Sequence, residues 1–227
     1  MTRTALKMNP DLATLMHSAL FSHLSRKAAS TLAGSALLKT YLEGDVIFRQ
    51  QEQAHFFCVV LRGYVRLTRT CDSGRIASLR ICEPGDVFGE CMLRAGPTYP
   101  YGAEAAENCV LAQFDLAAVR KLAEDDRSVD DAVMHVLSQN LLATLNCVAE
   151  DRLHTAPQRL AAYLLRTAQA ERRQGVFRLP FRKSLLAAKL GLTPEGLSRA
   201  FALLKEHGIA VQGRTIRIED SELLRSI

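Results

Sequence analysis

The chain has 227 residues, 23% of them charged and 48% hydrophobic, with a formal net charge of +5 at pH 7. This balance is ordinary for a soluble globular protein, and the length allows one large domain or two modest ones. No run of 18 apolar residues and no apolar core of a secretion signal is present, so the sequence predicts a cytoplasmic protein that does not enter a membrane.

The first part of the chain is predicted to begin with helices and to continue as β structure. Residues 10 to 39 have the pattern of short helices interrupted near Gly34, whereas residues 40 to 115 consist of short alternating or apolar runs. Turn signals separate these runs, at Gly44-Asp45, Gly63, Asp72-Ser73-Gly74, Pro84-Gly85-Asp86 and Gly96-Pro97. Several short strands with glycine turns predict a small barrel or roll.

A long helix is predicted from about residue 126 to 151. Apolar residues recur along it at three- and four-residue steps, at Val129, Val133, Leu137, Leu141, Leu145 and Val148. Such a stripe can pack on the roll of its own chain, or it can pair with the same helix of a second chain as a short coiled coil. Pairing is favoured because the stripe is longer than one small roll could cover, so we expect a homodimer.

The C-terminal third differs from the rest in charge. Residues 1–151 hold 15 Lys/Arg and 18 Asp/Glu, a net −3, whereas residues 152–227 hold 14 Lys/Arg and 6 Asp/Glu, a net +8. A basic end indicates a polyanion as partner, with a solvated basic face as the alternative. Helices are predicted at about 156–173, 182–190 and 194–207, followed by two short β segments around Gly213. The predicted domains are therefore 1–125, 126–152 and 153–227.

The segment LGLTPEGLSRAFALLKEHGI, residues 190 to 209, combines a glycine turn with a helix start. Thr193 can cap that helix, and Pro194 is tolerated at its first position because no amide hydrogen is needed there. The inward side of the helix is apolar, with Leu197, Ala200, Phe201 and Leu204. With the short helix before it, this is the pattern of a helix-turn-helix. A helical hairpin with a polar exposed side is the alternative.

Glu195, Ser198 and Arg199 fall on the outward side of the first turns of this helix, where a helix-turn-helix protein contacts base edges. Arg can bond the O6/N7 edge of guanine, Glu can accept from an amino group of cytosine or adenine, and Ser can donate or accept. Further candidate DNA-contacting residues are Thr193, Lys189 and Arg214. We expect double-stranded DNA as the partner, and a ligand-binding module without DNA is the rival class.

No motif of an enzyme is present. The chain has no P-loop, no GxSxG, no HExxH and no close carboxylate pair in a predicted cleft, so we do not expect catalysis. The six cysteines are scattered without a C-x-x-C pair, which argues against structural zinc and against an iron–sulfur cluster. Most of them are interpreted as small buried apolar residues.

The order of glycine-punctuated roll, long helix and winged helix-turn-helix resembles the CRP/FNR family of bacterial transcription regulators. The resemblance covers about residues 20 to 227 and depends on EGDVIFRQ, VVLRGYVRL, PGDVFGE, APQRLAAYLL and the pattern Glu195-x-x-Ser198-Arg199. It implies an α+β fold with an N-terminal jelly roll of the cyclic-nucleotide-binding type, a central dimerisation helix and a C-terminal winged helix-turn-helix. It also implies an activator that contacts RNA polymerase and reads TTGAT-type inverted repeats. Glu195 and Arg199 would then read inner bases, and Ser198 an outer thymine.

The resemblance also bears on the effector. Gly89, Glu90 and Cys91 match the start of the family's effector pocket, but members that bind cyclic AMP follow it with an Arg-Ser pair, and here Tyr101-Gly102 stands there. A buried phosphate without a guanidinium would be costly, so cyclic AMP is disfavoured. The N-terminal cysteine cluster of oxygen-sensing relatives is absent as well, because the first cysteine is Cys58.

The stretches MLRAGPTYPYGAEA and LFSHLS resemble the dissimilatory nitrate respiration regulators, which respond to nitric oxide and imply haem as cofactor. His17, His23 and Cys91 are the candidate haem ligands; the plain alternatives are exposed polar groups for the histidines and core packing for Cys91. A thiol switch is the other option, with Cys71 between Arg69 and Arg75 as the redox candidate. A regulator without any effector stays open too.

Overall fold

The computed structural model describes residues 10–170, 175–220 and 224. The chain divides into two compact units, Met1–Leu142 and Ala143–Ile227, and the division falls within one long helix.

The first unit is a β-roll preceded by helices. It begins with α1 (Pro10–His17), a 3₁₀ turn (Phe21–His23) and α2 (Arg26–Ser35). Eight strands follow: β1 Leu37–Tyr41, β2 Val46–Phe48, β3 Phe56–Arg62, β4 Val65–Thr70, β5 Ile76–Cys82, β6 Val87–Phe88, β7 Gly102–Ala105 and β8 Cys109–Asp115. They form two four-stranded sheets, ordered β1-β8-β3-β6 and β2-β7-β4-β5. The predicted roll is confirmed.

The core of the roll is centred on β3, which is buried from Phe57 to Leu61 because it lies between β8 and β6. Phe57 stands opposite Phe114 of β8, and their ring centroids are 5.2 Å apart. Residues 37–39, predicted as helix, belong instead to β1, since Leu37 pairs with Gln113 of β8. That pairing joins residues far apart in the chain, which local periodicity does not report.

One helix and the beginning of a second complete the first unit. The sequence did not predict α3 (Leu116–Asp125), which begins directly after β8 with Asp115 as its cap: the Asp115 carboxylate accepts from the amide of Ala118 at 2.8 Å. The long helix α4 runs from Ser128 to Leu153.

The helix α4 has two different environments along its length. In its first half Val129, Val133 and Val136 are buried in the roll's core, whereas every residue from Leu141 to Ala149 is exposed. The predicted stripe is therefore divided: its first residues pack on the roll, whereas Leu141, Leu145 and Val148 are exposed. By length and composition α4 also meets the criteria for crossing a membrane, the one such helix in the described part of the chain. A helix with one half on a protein core meets the same criteria.

The second unit is a small helical domain with a three-stranded sheet. Its elements are α5 (Ala156–Ala170), β9 (Val176–Arg178), α6 (Lys183–Lys189), α7 (Pro194–Lys205), β10 (Ile209–Gln212) and β11 (Thr215–Ile218). The sheet has the order β10-β11-β9, and the sequence did not predict β9. The end of the predicted helix 156–173 lies outside the described residues.

Candidate nucleic-acid interface and effector pocket

The turn between α6 and α7 is fixed by local hydrogen bonds. Gly191 has φ +62°, a left-handed conformation that favours glycine, and the amide of Leu192 donates back to the carbonyl of Ala187 at 2.8 Å. The hydroxyl of Thr193 accepts from the amide of Gly196 at 3.0 Å, and Pro194 follows at the first helical position. The start of α7 is thus determined by the sequence of the turn itself.

The helix α7 presents one apolar side to its own domain. Its buried residues are Leu197, Ala200, Phe201 and Leu204, as the sequence predicted. The Nζ atom of Lys183, at the start of α6, lies 5.2 Å from the centroid of the Phe201 ring. This packing fixes the rotation of α7 about its axis and so decides which residues face outward.

Glu195, Ser198 and Arg199 are all exposed on the opposite side of α7. The Ser198 hydroxyl donates to the carbonyl of Pro194 at 2.9 Å, so its lone pairs stay available as hydrogen-bond acceptors. Glu195 and Arg199 are four residues apart and therefore share one helix face. The first two turns of α7 offer a carboxylate, a hydroxyl oxygen and a guanidinium to a partner.

A groove of about 330 Å³ runs along α7; Ser198 lines it, whereas Glu195 and Arg199 do not. Its polar lining comes from Lys183 and Ser184 of α6 and from Ser198 and Lys205 of α7. The sequence reasoning missed Lys183, Ser184 and Lys205, although the basic residues at the start of α6 and at the end of α7 were a usable signal. Two ammonium groups beside the reading residues suit the sugar–phosphate backbone that flanks a base contact.

Two of the sequence-predicted DNA contacts have other partners in the structure. Lys189 is half-buried, with its Nζ 5.9 Å from the ring of Tyr163 and 5.8 Å from that of Phe181. Arg214 uses its guanidinium to bond the carbonyl of Leu179. Lys189 thus contacts aromatic rings, and Arg214 the carbonyl of the residue that follows β9. Neither is placed with Glu195, Ser198 and Arg199.

The predicted effector pocket lies where β6 meets a 3₁₀ turn, Glu90–Leu93. Gly89 has φ +82°, and a Cβ at this position would lie 3.3 Å from the Cα of Phe57, so glycine is required by both conformation and space. The Gly89 amide donates to the Tyr101 hydroxyl at 2.9 Å. Tyr101 therefore occupies a donor that a bound anion would otherwise use. Arg94, the nearby guanidinium, pairs with Asp130 of α4.

Glu90 is 4% exposed, and burial raises the pKa of its carboxyl group above the usual value. Its Oε1 accepts from the side-chain amide of Asn140 at 2.6 Å, whereas its buried Oε2 has no hydrogen-bond partner. The pocket's one carboxylate is thus committed to a side chain of α4.

Comparison with known proteins identifies the class of molecule. A model of the cyclic nucleotide-binding domain matches residues 38–126, and a model of the Crp-like helix-turn-helix domain matches residues 158–227. The cyclic AMP receptor protein of Thermus thermophilus is 30% identical over 221 residues, which cover 92% of this chain and 96% of that protein. The chain belongs to the CRP/FNR family of bacterial transcription regulators.

Two other relatives agree with this membership. The nitrogen fixation regulation protein FixK of Rhizobium meliloti is 29% identical over 199 residues, 86% of this chain and 89% of the relative. The crystal structure of DNR from Pseudomonas aeruginosa is 29% identical and has a TM-score of 0.52, with 94% of this chain and 96% of that one covered. The predicted family, the fold and a DNA-binding regulator are confirmed.

The three candidate haem ligands of this CRP/FNR protein differ in how well they suit the role. His17 is exposed, and its Nδ1 lies 2.8 Å from the carbonyl of Ala13, so Nδ1 carries a proton and Nε2 is the atom left for a metal. The ring of His23 contacts that of His135, with centroids 3.7 Å apart and the planes tilted by 37°. Burial raises the pKa of Cys91, which opposes the thiolate that iron requires. Of the three, His17 is the candidate carried into the proposal below.

The redox candidate Cys71 is exposed in the turn between β4 and β5. Its Sγ lies 3.1 Å from the hydroxyl of Ser73, and this hydrogen bond is the largest cause of a pKa below the usual thiol value. Cys71 also lines a cleft of about 510 Å³ that involves β2, β4 and β7. The predicted flanking cation Arg75 bonds the same Ser73 hydroxyl at 3.3 Å.

Proposed function

We propose that this CRP/FNR regulator binds a TTGAT-like inverted repeat in duplex DNA as a homodimer, with Glu195, Ser198 and Arg199 contacting the bases. The observation that carries the proposal is the outward placement of these three side chains on the first turns of a helix whose other side is buried. A carboxylate, a hydroxyl and a guanidinium together can recognise donors and acceptors on the base edges of the major groove.

The phosphate contacts come from the groove beside α7. Lys183 and Lys205 line it together with Ser184, one lysine at each end of the helix-turn-helix. Ammonium groups in these places neutralise phosphates whatever the base sequence, so they supply affinity and position rather than specificity. Arg214 leaves the proposed contact set because its guanidinium bonds the carbonyl of Leu179, and Lys189 leaves it because it does not line the groove.

The dimer is supported by the second half of α4. From Met134 in the first half, exposed apolar residues continue at spacings of seven, four and three, at Leu141, Leu145 and Val148. This is the heptad spacing of a coiled-coil seam, and pairing with the same helix of a second chain would bury it. The two copies of α7, related by a twofold axis, would then contact half-sites that are one turn of the DNA helix apart, roughly 34 Å.

The experiment compares Arg199→Ala with Lys183→Ala on two duplexes, one with two inverted TTGAT half-sites and one with scrambled sequence. Arg199→Ala is expected to weaken binding to the repeat by about 1–3 kcal/mol and to leave the scrambled duplex nearly unchanged. Lys183→Ala should weaken both alike and reduce the slope of log affinity against log salt by about one. Equal losses on both duplexes for Arg199→Ala would contradict the assignment. No salt-dependent binding by the native protein would favour the module without DNA.

Regulation would proceed through contact with RNA polymerase, and sensing of nitric oxide through haem, as the resemblance to the nitrate respiration regulators implies. His17 would hold the iron through Nε2, and the iron would supply the bond to nitric oxide. The role of His17 is supported by the contact of its Nδ1 with the carbonyl of Ala13, because this contact leaves Nε2 unprotonated in the neutral ring. Anaerobic reconstitution should give one haem per chain with a sharp Soret band that His17→Ala weakens. If haem binds loosely and His17→Ala does not change the binding, the haem proposal is contradicted. A regulator with a thiol switch, or one without an effector, then remains.

A further inference from the structure

Asn140 is the residue at which α4 leaves the roll. It is half-buried, and the nine residues that follow it, Leu141 to Ala149, are all exposed. Asn140 comes four residues after Val136 and seven after Val133, both buried, so it lies on the roll-facing side of the helix. Asn140 thus directly precedes the exposed stretch of α4 and contacts side chains of the roll.

These contacts form a directional chain. The Arg80 Nη1 of β5 donates to Asn140 Oδ1 at 2.5 Å, and Asn140 Nδ2 donates to Glu90 Oε1 at 2.6 Å. Arg80 is itself held by Asp86, with Nη2 3.0 Å from the Asp86 carboxylate. The side-chain amide of Asn140 therefore accepts from a cation through its oxygen and donates to a carboxylate through its nitrogen. Rotation of α4 would break both hydrogen bonds of Asn140. Glu90 Oε1 would then lack a partner, as the buried Oε2 already does.

The angular position of Asn140 determines which residues can face a second chain. Successive residues of a helix are about 100° apart, so a side chain fixed at position 140 fixes the direction of every later residue. With Asn140 directed at Glu90, Met134 and Leu141 are exposed, as are Leu145 and Val148 further along the helix. Buried polar contacts of this kind can specify register even where they add little stability.

We propose that Asn140 is a positioning residue: its bonds to Glu90 and Arg80 fix the rotation of α4 and so select the residues that pair in the dimer. The inference rests on the proposed homodimer and not on DNA recognition. In this inference, side chains of the roll fix the rotation of α4 without a bound effector.

The matched test exchanges the two partners. Asn140→Asp alone places a second carboxylate against Glu90 and should release the helix. Glu90→Gln/Asn140→Asp restores the pattern with the groups interchanged, because the new amide can donate to the new carboxylate and Arg80 can still donate to it. Glu90→Gln alone keeps an oxygen that accepts from Asn140, and it is the control.

The readout is disulfide cross-linking between the two chains in a Cys71→Ser/Cys147→Ser background. Leu145→Cys lies in the seam and should cross-link about tenfold faster than Asn146→Cys, which points away from it. Asn140→Asp should reduce this ratio by about tenfold, and the exchanged pair should restore it. Each variant is checked for unchanged helical content, and if Asn140→Asp fails to fold, the exchanged pair carries the test.

The outcomes separate this inference from the proposed function. An unchanged ratio in Asn140→Asp, or a folded exchanged pair without the native ratio, would overturn the role of Asn140 and leave the dimer intact. A native protein that sediments as a monomer would overturn the dimer and this inference with it. If the native protein does not bind DNA, but Asn140→Asp lowers the cross-linking ratio and the exchanged pair restores it, the proposed DNA site alone is contradicted and the role of Asn140 is upheld.

Discussion

Arg214 stands in the turn between β10 and β11, and its Nε and Nη2 both donate to the carbonyl oxygen of Leu179, at 2.9 Å and 2.8 Å. The link runs in both directions, because the amide of Leu179 donates to the carbonyl of Arg214 at 2.8 Å. The guanidinium therefore joins the turn to the segment after β9 instead of standing free at the tip of the wing.

This geometry predicts that Arg214→Ala destabilises the protein. Loss of a charged double donor to the carbonyl of the buried Leu179 should lower the free energy of unfolding by about 1–3 kcal/mol, measured by urea denaturation. The salt slope of DNA binding should stay as in the native protein. Arg217→Ala, which removes an exposed arginine of β11, is the matched control and should leave stability unchanged. A reduced salt slope with native stability in Arg214→Ala would return Arg214 to the DNA interface.

The cap of α7 gives a second prediction. Thr193 accepts from the Gly196 amide through its hydroxyl, so Thr193→Val should lower the free energy of unfolding by about 1 kcal/mol. Thr193→Ser keeps the hydroxyl and should behave like the native protein. Thermal unfolding of the three proteins provides the comparison. Equal stability of the Val and native proteins would mean that the cap contributes nothing.

The reading helix could be predicted from sequence because every feature that defines it is local. Gly191, Thr193 and Pro194 set the turn and the helix start within four residues, and the apolar spacing behind them sets the buried side. The directions of Glu195 and Arg199 then follow from helix geometry alone. The succession of roll, long helix and winged domain was equally predictable from turn signals and periodicity.

The failures concern contacts between residues far apart in the chain. Lys189 reaches the ring of Tyr163, and Arg214 reaches Leu179, and neither distance can be read from a local pattern. The role of Asn140 depends on Arg80 and Glu90 in the same way. The apolar stripe of α4 was visible, but its division into a buried and an exposed half depends on where the roll ends.

Glu90 provides a prediction about pH. Burial raises the pKa of its carboxyl group in the folded protein, so the folded state binds its proton more tightly than the unfolded chain does. Its contribution to stability is therefore fully present below the ordinary carboxyl pKa and is lost as pH rises through the raised value. Glu90→Gln, which cannot ionise, should remove this fall and should be more stable than the native protein at neutral pH.

The measurement is the free energy of unfolding of both proteins between about pH 4 and pH 8, a range that brackets the ordinary carboxyl value. Glu90→Gln and native curves should converge at the acidic end and separate as pH rises. Curves that stay parallel would show that Glu90 does not ionise differently in the folded state.

Cys71 should be the most reactive thiol of the protein. Its hydrogen bond with Ser73 lowers its pKa, which raises the fraction of thiolate at neutral pH, and it is exposed. Cys147 is exposed too and serves as the internal reference. Iodoacetamide labelling, followed by peptide mass analysis, should modify Cys71 first, and Ser73→Ala should slow its modification severalfold without changing Cys147. Equal rates at both cysteines, or indifference to Ser73→Ala, would remove the physical basis for a thiol switch at this turn.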